Sequence, residues 1–226
     1  TLNSTMKVPA FILQKTTIKT EKMWQFYLSV SLWAVVYATM NVSIVVFLEQ
    51  QLNSYFWAGF AIALGHTCSM FFDIPFNYLQ KIFSSRNLFL ASILSVASAI
   101  LMFIFLVLFV ESTFLKVVLL FWATIVFSVS YDLYNITVTS YVMAESPPSQ
   151  YGQNLAYKQL AQATGLVGGL VISAVLIFMA NMVQSTAEMA GAEINDMPFL
   201  MATSVVLLFL FALLVMLFVF AMFVES

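Results

Sequence analysis

The sequence predicts an all-α membrane protein of six transmembrane helices. Three observations predict it. Hydrophobic residues make up 62% of the 226 positions, charged residues only 8%, and the apolar positions fall into long blocks. A spanning helix needs about 20 mostly apolar residues. Charge-free runs at Met23–Leu48, Gln50–Phe72, Asn87–Val110 and Met197–Val224 satisfy this, and Val117–Ala144 and Ala156–Met182 do so with one charge inside or at the edge. The 23 Phe and 13 Met residues suit lipid contact and exclude a disordered chain. A net charge of −2 gives no basis for nucleic-acid binding.

Taken in order, residues 1–22 form a basic tail carrying Lys7, Lys15, Lys19 and Lys22. The spans follow at 23–48, 54–80, 87–110, 115–144, 152–180 and 198–224, making 23–226 one transmembrane domain. Lys7, Lys15, Lys19, Lys22, Lys81, Arg86 and Lys158 fall on one side of this arrangement and Lys116 alone on the other. Positive residues collect on the cytoplasmic side. The expectation is a multi-pass protein of the plasma (inner) membrane with both termini in the cytoplasm. The outer loop between the fifth and sixth spans carries Glu188, Glu193 and Asp196. Cys68 is the single cysteine, which excludes an internal disulfide.

Polar residues recur on one helical face in four spans. The second carries His66, Ser69, Asp73 and Asn77; the fourth carries Ser128, Asp132, Asn135 and Thr139. The fifth carries Lys158, Gln162, Gly165 and Gly169, and the first Trp33, Tyr37 and Asn41. The third and sixth spans offer little beyond Ser92, Ser95, Ser98, Thr203 and Ser204. Spans 1, 2, 4 and 5 are therefore expected to surround a polar path, with spans 3 and 6 peripheral and facing lipid.

The middle of span 1, Tyr37-Ala-Thr-Met-Asn41-Val42-Ser43, parallels the middle of span 4, Tyr131-Asp-Leu-Tyr-Asn135-Ile136-Thr137. Both read Y-x-x-x-N-[VI]-[ST] on helices that run in opposite directions. An inverted repeat of three spans plus three spans has this signature. It makes Tyr37, Asn41, Tyr131 and Asn135 the candidate substrate-binding residues at the membrane midplane.

These features resemble the amino-terminal half of a major facilitator superfamily transporter across nearly the whole chain. The turn after span 2, from Asn77 through Lys81 and Ser84 to Arg86, is similar to that family's G-x-x-x-D-R-x-G-R-R loop. Lys81 stands where the family has an acid, and Arg86 is retained. The stretch Tyr131–Leu170, with Pro147-Pro148 and Gly165-Leu-Val-Gly168-Gly169, resembles the region of helices 4 and 5. The resemblance implies half of a 3+3 fold, alternating access around a central site, and a second six-helix half, in the same full-length chain or as a homodimer. It implies a secondary transporter, symporter or antiporter, for a small-molecule substrate, with the bilayer as its other partner and no cofactor.

Charged groups at a helix centre cost about 2.5–3.5 kcal/mol on insertion scales, so they mark function or firm pairing. Asp132, near mid-span, is the candidate proton-coupling residue, with Asp73 and His66 as relay partners. Lys158 and Asp73 lie at similar depth from the cytoplasmic side and are expected to form a gating or structural pair. Lys81 and Arg86 belong to the same gating region. Gly165 and Gly169 have the G-x-x-x-G spacing that allows close helix approach.

Enzymatic classes lack parts. There is one His, no H-E-x-x-H, no G-x-S-x-G and no G-x-x-x-x-G-K-[ST]. Tyr131-Asp132 matches one motif of intramembrane aspartyl proteases, but the partner G-x-G-D is missing around Asp73. A receptor or scaffold on the same fold is the remaining alternative. The sequence predicts no enzyme and no metal site.

Overall fold

The computed structural model describes residues 20–52, 54–110, 112–189, 205–206 and 208–217. All regular structure among them is helical. We label the helices α1 (Thr20–Leu52), α2 (Tyr55–Ile82), α3 (Ser85–Phe109), α4 (Thr113–Glu145), α5 (Tyr151–Met189) and α6 (Leu208–Leu217). The first five are long and apolar enough to cross a membrane. Most of the basic tail, the acidic loop beyond residue 189 and the ends of the sixth span lie outside the described residues; residues 181–189, expected in that loop, continue α5.

Short, extended linkers break the helices where the sequence changes from apolar to polar. Ser84 caps α3 by accepting a hydrogen bond from the Asn87 backbone N–H at 3.3 Å. α4 ends at Ser146, and the chain turns through Pro147 and a short 3-10 turn over Pro148–Gln150 into α5. Proline's fixed φ and missing N–H suit this break. Pro75 sits inside α2 without ending it. Linkers this short make consecutive helices run antiparallel.

The helix pairs in closest contact are α1 with α5, α3 with α4, and α2 with α4. A continuous core runs through Phe26, Trp33, Met40 and Phe47 of α1, Phe89, Ile93, Ile100 and Phe103 of α3, and Phe127, Tyr134 and Val138 of α4. Trp33 stacks on Tyr134, with ring centroids 4.3 Å apart.

The third span has a buried face and an exposed face. Of the most apolar stretch of each helix, 44% is buried in α3, against 22% in α2 and 17% in α5. Phe89, Ile93, Val96, Ile100 and Phe103, spaced four, three, four and three apart, form one stripe that packs inward. Only the opposite face, with Leu94, Leu101 and Phe105, is exposed. The absence of polar residues from α3 keeps it off the polar path, and its one substantial contact among the five long helices is with α4.

The α1–α5 seam is built on small residues. A Cβ added to Gly165 would overlap the Ser31 carbonyl oxygen and lie 2.7 Å from Ala34 Cβ. One added to Gly169 would lie 2.7 Å from both Ala38 Cβ and the Val35 carbonyl oxygen. Ala34 and Ala38 repeat the four-residue spacing on α1, so the two backbones meet where neither side carries bulk. Both glycines sit at this close approach of the two helices.

Candidate functional site

Period-3.6 placement brings the polar stripes of α2 and α4 together. Between them lies a cavity of about 440 Å³, lined by His66, Ser69, Met70 and Asp73 of α2 and Asp132, Asn135 and Ile136 of α4. Asp132 stands close to the middle of α4, with Ser69 beside its carboxyl and His66 and Asp73 within its electrostatic reach. Ser69 is buried, and its hydroxyl also donates to the His66 carbonyl oxygen at 2.8 Å. The approach of α2 to α4 is close just above the cavity, where a Cβ on Gly65 would come within 2.6 Å of Ser128 Oγ.

An aromatic layer backs the cavity. Tyr37 and Tyr131, the two equivalent positions of the sequence repeat, stack with ring centroids 3.5 Å apart. Phe127 continues the stack from 5.6 Å on Tyr37. The Tyr37 hydroxyl shares a 3.3 Å hydrogen bond with His66 Nε2, its direction set by the imidazole tautomer. Each tyrosine also engages the asparagine one turn on: Tyr37 with Asn41, and Tyr131 with Asn135. Gln162 of α5 donates to the Tyr131 hydroxyl, so all four helices expected to carry the polar path reach this layer.

Of the predicted site residues, His66, Asp73, Asp132 and Asn135 line the cavity directly. Tyr37, Asn41 and Tyr131 form its backing. Lys158 departs from its predicted partner. Its ammonium is buried and donates to Thr139 of α4 at 3.2 Å. α2 and α5 are not in substantial contact, and Lys158 reaches the polar stripe of α4 at Thr139 instead of α2. Similar depth along two helices did not make them neighbours. Lys81 lies in the last turn of α2 and is exposed. The side chains of Arg86 and Asn77 lie outside the described residues.

Several contacts escaped the sequence reading. Ser140 donates to Gln80 at 2.9 Å, tying α4 to α2. Asn154 donates to Ser146 at 2.7 Å across the α4–α5 turn. Met70 and Ile136 give the cavity an apolar wall. Ser69 stood in the predicted stripe, but its place beside Asp132 needed the α2–α4 register. Among the described residues, no group of three His, Cys, Asp or Glu gathers closely enough to hold a metal ion. No family model, curated protein or solved structure matches the chain.

Proposed function

We propose that this chain is a six-helix half of a major-facilitator-type secondary transporter. It moves a small solute by alternating access, with Asp132 as the proton-coupling group. The observation that carries the reading is the cavity that His66, Asp73 and Asp132 share between α2 and α4, part-way along two helices long and apolar enough to span a membrane. Ionisable groups at such depth are costly and are retained where solutes or protons pass. Asp132 can take and give up a proton there, and His66, hydrogen-bonded to Tyr37, continues a polar line toward α1.

The 3+3 inverted repeat finds support in two places. Exchanging α1 with α4 and α2 with α5 turns the α1–α5 pair into the α4–α2 pair, and both are among the closest pairs in the bundle. The repeat-related Tyr37 and Tyr131 touch each other, as residues near a pseudo-two-fold axis must. A second six-helix half completes the cavity in this reading. Both termini face the cytoplasm, following the positive-charge bias of the loops.

The test is uptake into cells expressing the full-length protein, screened over sugars, nucleosides, amino acids and amines. Wild type accumulates its solute in a pH-dependent manner and Asp132→Asn does not. Full pH-dependent accumulation by Asp132→Asn removes the coupling role from this residue. The joint lining of one cavity by Asp73 and Asp132 favours a second reading, an intramembrane aspartyl protease. Cleavage of a helical peptide in liposomes that requires both carboxyls would establish it instead.

A further inference from the structure

The lining of the α2–α4 cavity has a charge balance that restricts what it can hold. It contains two carboxyls, Asp73 and Asp132, together with His66, and no lysine or arginine. The nearby buried ammonium of Lys158 is turned to Thr139. A carboxylate-bearing or phosphorylated solute would meet two like charges at close range. An uncharged solute would bring no counter-charge to the two carboxyls. A cation resolves both problems.

The size and chemistry of the space decide which kind of cation. Among the described residues no three-ligand metal group forms. The volume of about 440 Å³ exceeds by more than tenfold the roughly 30 Å³ that one water occupies in the liquid. It falls within the range of pockets for small organic molecules, about 300–1,000 Å³. An ammonium group offers only donors. The cavity supplies acceptors for them in the Asp73 and Asp132 carboxyls and the Asn135 side-chain carbonyl. Met70 and Ile136 supply apolar surface for the rest of the molecule.

The geometry points to an organic ammonium ion, an amine with a compact apolar body, as the ligand of this cavity, held between Asp73 and Asp132. The assignment rests on the transporter reading and narrows its substrate class. Ammonium and proton compete for the same carboxyls, so each bound amine displaces acid protons from the site.

The test compares three probes of matched size on purified full-length protein by titration calorimetry at neutral pH. They are 2-phenylethylamine as the cation, 2-phenylethanol as the neutral form and 3-phenylpropionate as the anion. The amine is expected to bind at least tenfold more tightly than either of the others, a ranking that needs no variant. Asp73→Asn and Asp132→Asn each weaken it at least tenfold, while Gly59→Ala, whose position faces open space, leaves it unchanged. Equal binding of the three probes, no binding of the amine, or full amine affinity in both Asn variants overturns the assignment. Uptake into liposomes separates this from the parent reading. Transport of an uncharged or anionic solute, blocked by Ser69→Trp, overturns the amine assignment and leaves the transporter standing. Amine binding without movement of any solute supports the amine site and overturns the transporter.

Discussion

Gly165 and Gly169 set the distance between α1 and α5, and a single methyl group tests that geometry. A Cβ at Gly169 falls 2.7 Å from Ala38 Cβ, whereas ordinary contact starts at 3.4 Å. The helices must therefore separate by about 0.7 Å along that line, or more to reach the optimal carbon–carbon distance. Backbone obstructs both sites, and at Gly165 the clash is worse, because the new Cβ would overlap the Ser31 carbonyl oxygen outright. Overpacking of this kind costs about 1–3 kcal/mol. For a chain of this length, that lowers the unfolding midpoint by about 2–12 °C. Thermal unfolding of the purified protein in detergent, followed by tryptophan fluorescence, reads the effect. Gly165→Ala is expected to fall furthest and Gly169→Ala less. The double variant falls by less than their sum, because the first methyl already opens the seam for the second. Gly59→Ala is the control, with nothing within 4 Å of the new carbon. There the better helix propensity of Ala raises stability by up to about 1 kcal/mol. If Gly165→Ala and Gly59→Ala unfold at the same temperature, the close seam is refuted.

Three further outcomes follow from individual contacts. Thr139→Val strips the buried Lys158 ammonium of its hydrogen-bond acceptor and destabilises by about 1–3 kcal/mol, whereas adding Lys158→Met recovers most of the loss in the same unfolding assay. Tyr134→Phe changes stability by no more than about 1 kcal/mol: the buried hydroxyl makes no well-aligned hydrogen bond and has beside it Ser29 Oγ, which donates its own proton to the Phe26 carbonyl at 2.7 Å. In a Cys68→Ser background, a cysteine at exposed Ser149 reacts with an impermeant maleimide only from the cytoplasmic side, and one at exposed Ser112 only from outside; the reverse pattern overturns the proposed orientation.

Much of this arrangement was legible from helical periodicity alone. His66, Ser69 and Asp73, or Asp132 and Asn135, share a face because of their spacing, and the faces then met in one cavity. The Tyr37/Tyr131 repeat was visible as a pattern, while the stacking of the two rings depended on how α1 crosses α4. Pairing between helices was less legible. Depth placed Lys158 level with Asp73, but depth says nothing of azimuth, and α5 makes its extensive contact with α1 rather than with α2. α3 shows the same limit. Its apolar residues surround the helix, so composition could not reveal that the Phe89–Ile93–Val96–Ile100 stripe is the buried one. The Gln80–Ser140 and Asn154–Ser146 bonds involve residues common at helix ends, where no sequence signal distinguishes a bonded side chain from a solvated one.

The central claim is that the Asp132 cavity couples solute movement to proton movement. The most direct measurement uses full-length protein in liposomes that contain a trapped pH-sensitive dye, with no imposed ion gradient. Adding the transported solute outside is expected to change the internal pH with wild-type protein and to leave it unchanged with Asp132→Asn, while solute binding to wild type remains measurable. A solute-driven pH change of wild-type size in the Asp132→Asn liposomes would contradict the account.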